Sequence, residues 1–268
     1  MNITQNIKHP DSSNLKLSET VISAKKFENF KSVLRLIKSN FNDFSIVDGA
    51  FRAYSNDRSC IVETGFGFLR GMHFSIFNIK QCLKSISTLS KKTDITVKVD
   101  KSSLKIFDQV SELSFSDPTS EFSDNKFIPY EDIAEIVLRK IQSSKLIVND
   151  AISKKQICRI QKVVRKLGSK HICFKHGKSD LCKGELVISG KAKDSPVFGY
   201  KLQRPLLSPI KKNHYFNLKI LPVLFNRDDM YLKCYFTEEG TIIAMYSTKI
   251  DDLFVNIYSQ SGLSKESE

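Results

Sequence analysis

KLIVNDAISKKQICRIQKVVRKL, residues 145–167, divides at Ser153. Lys145–Val148 has the β-branched character of a strand, and Ser153–Leu167 has helical periodicity. At roughly 100° per residue, Ile157, Ile160, Val163, Val164 and Leu167 share one side of that helix. Lys154, Lys155, Arg159, Lys162, Arg165 and Lys166 share the other, with no acidic residue among them. Ser153 suits an N-cap and Gly168 a C′ stop. An ordinary surface helix mixes charges, because opposite signs one turn apart stabilise it slightly. This one accepts self-repulsion, as a helix lying against a polyanion would. The plainer alternative is a solvated face on a basic protein.

Downstream, strands are expected at His171–Lys175, Glu185–Ser189, Val197–Leu202 and Tyr215–Ile220. A short helix follows near Leu221, with Pro222 in its first turn, then strands at Tyr231–Phe236, Thr241–Tyr246 and Leu253–Tyr258. Upstream the same order occurs. A strand at Thr20–Ser23 leads into a helix, Ala24–Ser39, with Phe27, Phe30, Val33, Leu34 and Ile37 on one side. Lys31, Arg35 and Lys38 lie on its other side, interrupted by Glu28. A meander of short strands over residues 44–66, with turns at Asp48-Gly49 and Asn56-Asp57, continues into a strand at Met72–Phe77. A second helix, Asn78–Leu89, turns Ile79, Cys82, Leu83, Ile86 and Leu89 inward and Lys80 and Lys84 outward. Strands at Ile95–Val99, Leu104–Phe107 and Glu112–Phe115 close this half. Topology is therefore duplicated within an α+β chain. The expected division is an arm at 1–17, one half at 18–116, a connector at 117–144, a second half at 145–260 and a tail at 261–268. Within the connector, residues 116–125 read as an acidic linker and Pro129–Gln142 as a helix.

The charge is uneven. The 268 residues hold 42 Lys+Arg against 29 Asp+Glu, a net +13. Residues 151–219 hold 17 against 3, so the remaining residues hold 25 against 26 and are nearly neutral. A concentrated surplus indicates a binding surface, with nucleic acid the leading partner. A membrane is not expected: the basic helix has no Trp/Phe/Leu-rich face, and no apolar run reaches a spanning length. The six cysteines include no C-x-x-C pair, which suits free thiols in a reducing, intracellular setting. His171, Cys173, His176 and Cys182 meet no standard metal-ligand spacing, so neither metal nor cofactor is expected. Gly65, Gly67 and Gly71 lack the Gly-Lys-Ser/Thr that a phosphate loop needs. Asp43, Asp48 and Asp57 read as turn formers. A nuclease or nucleotide-handling enzyme lacks support without an acidic or His cluster.

Four stretches carry a resemblance: KKFENFKSVLRLIKSNFNDFSIVDGAFRAYSND from Lys25, FSIFNIKQCLKSIS from Phe74, YFNLKILPVLFNRDDMYLKCYF from Tyr215 and TIIAMYSTKIDDLFVNIY from Thr241. In element order the chain resembles the DNA sliding clamp family and is most similar to the T-even phage kind. The resemblance implies a DNA clamp fold of two similar domains, each of two β-α-β-β-β units. Its helices line a hole for double-stranded DNA, and its antiparallel sheets lie outside. It places Lys31, Arg35, Lys38, Lys80, Lys84, Lys154, Lys155, Arg159, Lys162, Arg165 and Lys166 on that lining, with Arg227 a weaker candidate. It further implies a non-enzymatic processivity factor, closed as a homotrimer, with a DNA polymerase and a clamp loader as partners. Late transcription and the host cytoplasm would be its setting. The strong basic charge departs from the family pattern and keeps an alternative open: a clamp-fold accessory protein that clings to DNA by charge as a monomer or dimer.

Overall fold

The computed structural model describes residues 18–55, 60–100, 103–116, 130–168, 171–176, 183–189, 197–205, 207, 214–217, 230–250 and 252–263. The first half runs β1 (Ser18–Ile22), α1 (Ala24–Ile37), β2 (Phe41–Val47), β3 (Ala50–Ser55), β4 (Cys60–Gly65), β5 (His73–Phe77), α2 (Ile79–Ile86), β6 (Ile95–Val99), β7 (Ser103–Phe107) and β8 (Glu112–Ser116). Helix α3 (Tyr130–Ser143) connects the halves. The second half runs β9 (Lys145–Ile152), α4 (Lys154–Leu167), β10 (His171–His176), β11 (Lys183–Ser189), β12 (Val197–Pro205), β13 (His214–Asn217), β14 (Met230–Phe236), β15 (Ile242–Ile250), β16 (Leu253–Gln260) and β17 (Gly262–Leu263). The expected strands and four of the expected helices are present among the described residues, with boundaries shifted by a few residues. Of the acidic linker expected at 116–125, Ser116 instead ends β8; residues 117–125, the arm at 1–17 and the short helix near Leu221 lie outside the described residues.

The strands pair antiparallel into three sheets, and the duplication survives in their order. The first half contributes β1-β6-β7-β8 and β5-β2-β3-β4. The second contributes β9-β14-β15-β16 and β13-β10-β11-β12, with β17 added beside β13. Periodicity did not anticipate the join. β4 pairs with β16, from Thr64 opposite Val255 to Cys60 opposite Ser259, so one eight-stranded sheet runs through both halves.

Strand alternation assigns the two faces of that sheet. Phe51, Ala53, Cys60, Val62, Val255 and Ile257 enter the main core together with Phe27, Phe30, Val33 and Leu34 of α1. Ile79, Cys82, Leu83 and Ile86 of α2 and Ile157 and Ile160 of α4 join the same core. Burial of each Val, Leu, Ile or Phe among them stabilises the fold by about 1.5–3 kcal/mol. The intervening residues Tyr54, Ile61, Met245 and Tyr258 point the other way and pack under Val137, Leu138 and Ile141 of α3. Three helices thus share one side of the sheet, while the connector helix lies across its opposite side, over the β4–β16 seam. Lys140 of α3 reaches Glu239 in the β14–β15 turn at 2.8 Å and ties the connector to the second half.

The β2–β3 turn needs glycine. Asp48 and Gly49 both have positive φ, and a Cβ on Gly49 would stand 2.8 Å from the Phe66 carbonyl oxygen. Asp48 Oδ1 accepts a hydrogen bond from the Gly71 N–H at 2.7 Å, which docks the turn against the loop before β5.

Candidate nucleic-acid interface

Helix α4 begins with a reciprocal cap. Ser153 Oγ accepts from the Gln156 N–H at 3.4 Å, and Gln156 Oε1 accepts from the Ser153 N–H at 2.8 Å. It stops at Gly168, whose φ of 55° is left-handed. Ile157 and Ile160 are buried, so the opposite side must face solvent. Lys154, Lys155, Arg159, Lys162 and Lys166 are all exposed. Lys155, Arg159, Lys162 and Lys166 recur at i, i+4, i+7 and i+11, which places them in one stripe about 16 Å long. The side chain of Arg165 lies outside the described residues.

A second array lies between α1 and α2, which pack side by side. Arg35 and Lys38 of α1 and Lys80 and Lys84 of α2 line one open groove of about 510 Å³, with Leu83 and Ser87 completing it. Helix α2 holds its angle through an Asn78 cap in left-handed conformation, whose Oδ1 accepts from the Gln81 N–H at 3.1 Å. Four cations around one concavity can hold one or two phosphate groups by long-range attraction and exchangeable hydrogen bonds, with no dependence on base identity.

Lys31 corrects the sequence reading. Expected on the solvent side of α1, it is fully buried. Its ammonium contacts the Glu28 carboxylate and sits 5.1 Å from the Phe27 ring centroid. The reason is angular. Residue 31 lies about 40° round the helix from Phe27 and about 60° from Leu34, inside the margin of the apolar stripe. Residue type suggested an outward cation, but Glu28 and the Phe27 face supply partners within the protein. Glu28 also meets Arg35 Nη1 at 3.5 Å. Burial pushes the Glu28 carboxyl up, but Lys31 and Arg35 outweigh that and hold it below the usual carboxylate range.

Lys25 was overlooked in the sequence. It is exposed at the start of α1 and lies 3.9 Å from Asp252. α1 and α4 both have 14 residues and superpose in sequence with an offset of 130, which matches Lys25 to Lys155. That offset is the signal that would have found it. Arg227 lies outside the described residues, as do the side chains of His171, Cys173, His176 and Cys182. Among the described residues no three His, Cys, Asp or Glu side chains group as metal ligands. Cys60, Cys82, Cys158 and Cys234 are free thiols, and burial pushes that of Cys82 up to about 12. No helix among the described residues is long and apolar enough to cross a membrane.

No protein-family model and no curated protein matches the sequence. Solved structures do match the three-dimensional arrangement. Proliferating cellular nuclear antigen from Entamoeba histolytica aligns with a TM-score of 0.57 at 16% identity, over 91% of this chain and 98% of that one. The PCNA2–PCNA3 complex from Sulfolobus tokodaii aligns with a TM-score of 0.56 at 11% identity, over 91% of this chain and 99% of that one. This chain has the DNA clamp fold. A putative DNA polymerase III beta subunit from Eubacterium rectale matches at 0.59 and 10% identity, over 93% of this chain but 66% of that longer one. Within that fold, α1, α2 and α4 occupy one side of the shared sheet, and both cationic arrays stand on these helices.

Proposed function

We propose that the protein is a DNA sliding clamp, a processivity factor that tethers a polymerase to duplex DNA. The exposed stripe of Lys155, Arg159, Lys162 and Lys166 carries this reading. Duplex DNA presents about one phosphate charge per 1.7 Å of axis, so a cationic stripe about 16 Å long can exchange among many phosphates while the protein slides. The groove of Arg35, Lys38, Lys80 and Lys84 would supply further backbone contacts. Arg165 belongs to the same proposal from its place in the α4 sequence. None of these residues needs to read a base, which is what movement along any sequence requires.

The repeated architecture supports closure into a ring. Inside the chain, β4 of one half pairs with β16 of the other. The equivalents of those strands, β12 and β8, end their sheets among the described residues. Repeating the same pairing between copies gives a head-to-tail assembly, and a homotrimer of two-part chains would make a six-part ring. The domain division at 18–116 and 145–260 belongs to this reading, with α3 as a rigid link on the outer side. A polymerase, an ATP-driven clamp loader and, in a T-even phage setting, late-transcription factors would be the partners. No catalytic role is assigned to the clamp itself.

The runner-up is an accessory protein that binds DNA by charge without closing a ring, favoured by the surplus in residues 151–219. Retention on nicked circular DNA through a high-salt wash, followed by loss on linearisation, is the expected result for the ring. Release by salt from the intact circle would replace the ring with the open form, since electrostatic binding weakens steeply with salt.

A further inference from the structure

Helix α3 covers only part of the outer side of the eight-stranded sheet, where it packs on Tyr54, Ile61, Met245 and Tyr258. About 13 Å along β16 from Tyr258 stands Phe254, on the same side. Strand alternation turns Tyr231, Lys233, Ser247, Lys249 and Asn256 to that side as well, away from α1, α2 and α4. The register sets them side by side, with Tyr231 opposite Ser247, Ser247 opposite Asn256 and Lys249 opposite Phe254. Tyr231 is 55% exposed and Phe254 61%.

One exposed aromatic needs no explanation. Here two share a face with cations between them. The Lys249 ammonium lies 6.0 Å from the Phe254 ring centroid. Lys233 follows Tyr231 on the same side of β14. The acids described beside them have cations of their own: Glu63 meets Arg52 at 3.3 Å, and Asp252 lies 3.9 Å from Lys25. The described residues of this face therefore carry a positive surplus. Its floor is bare beside Phe254, since a Cβ added to Gly65 would meet no atom within 4 Å.

We infer that this face binds single-stranded nucleic acid, at a site separate from the helical interface for duplex DNA. Unpaired bases stack on exposed rings, and neighbouring cations hold the phosphates. Tyr231 and Phe254 stand two strands and two residues apart, about 12 Å, so one short strand can cross both. A duplex keeps its base planes stacked on each other and offers none to these rings. A protein partner suits the face less well. β14, β15 and β16 are interior strands whose edges are already paired, so no further strand can be added to them. The bare floor at Gly65 gives no pocket for an anchoring side chain. Because the duplex-binding cations lie across the sheet, both sites can be filled together. The inference needs no closed ring and stands apart from that reading.

Fluorescence anisotropy with a labelled oligothymidylate of about 12 nucleotides tests this, in saturating unlabelled duplex DNA to occupy the helical side. Tyr231→Ala/Phe254→Ala should weaken oligomer binding by about tenfold or more and leave duplex binding unchanged. Lys249→Glu should weaken it too, and guards against a folding defect in the double variant. An abasic oligomer of the same length should bind the wild type no better than the intact oligomer binds the double variant. Bromodeoxyuridine-substituted oligomer, irradiated on the wild type, should cross-link to peptides holding Tyr231 or Phe254. Cross-links confined to α1, α2 and α4, or equal binding of abasic and intact oligomers, would overturn the inference. So would an acidic, Phe-containing peptide whose binding is lost in the double variant while that of the oligomer is kept. That result would make the face a protein-docking surface.

Discussion

Helices α1 and α4 hold equivalent places in the two halves and have equal length, yet they present different surfaces. Their core positions correspond: Phe27 with Ile157, Phe30 with Ile160, Ile37 with Leu167. The positions of the α4 stripe do not. Lys155, Arg159, Lys162 and Lys166 correspond to Lys25, Asn29, Ser32 and Leu36, of which Asn29 and Leu36 are buried. α1 is covered at two of these four positions, while α4 is open at all of them. In α1 the cations move round to Arg35 and Lys38 and share a groove with α2, and Lys31 turns inward. The same scaffold thus supports a line of charge in one half and a pocket of charge in the other. Conserving a fold requires only the buried side of a helix. Its other side is free to diverge.

The largest expected effect breaks the α4 side of this contrast. Replacing Lys155, Arg159, Lys162 and Lys166 by Glu should abolish DNA retention with little change in melting temperature, since these side chains are exposed. In equilibrium binding, removing four phosphate contacts should flatten the plot of log K against log salt by about 3–4 units. Retained binding with an unchanged slope would remove α4 from the interface.

Lys31→Glu should destabilise the fold by about 3–5 kcal/mol in denaturant titration, because it leaves two carboxylates facing each other at a buried site. Lys31→Met should cost less than Lys31→Glu, since Glu28 keeps Arg35 as a partner and stays partly open to solvent. DNA binding by the Met variant should be unchanged. Weakened binding with intact stability would return Lys31 to the DNA side.

Charge reversal of Arg35, Lys38, Lys80 and Lys84 should weaken binding less than reversal of the α4 stripe, because a single groove meets fewer phosphates than an extended line. An equal or greater loss would make the groove the principal site.

The smallest effect is a pH dependence. The depressed Glu28 carboxyl contributes stability that is present above the ordinary carboxylate range and is lost as pH falls through its lower folded value. Glu28→Gln should therefore lose stability at neutral pH and show a shallower acid decline than wild type. Parallel acid profiles would mean that the Glu28 carboxylate contributes nothing to the fold.

Much was legible beforehand because periodicity reports burial. The stripes of α1, α2 and α4, the meander and the duplicated order all follow from apolar residues recurring at 3.6 or 2 positions. Lys31 was misread because a residue's type speaks for its solvation in isolation. Its burial depends on Glu28 one turn earlier and on the Phe27 ring.

The sequence by itself determined the elements, their order in two halves and the unbroken positive charge of α4, since each depends on neighbours within a turn or a strand. Tertiary structure alone decided that β4 meets β16, that α3 straps the opposite side of the sheet and that Arg35, Lys38, Lys80 and Lys84 converge. Thr64 and Phe254 are 190 residues apart and joined by a hydrogen bond. Backbone groups on an edge strand accept any antiparallel partner, so the choice is made by packing across the whole chain.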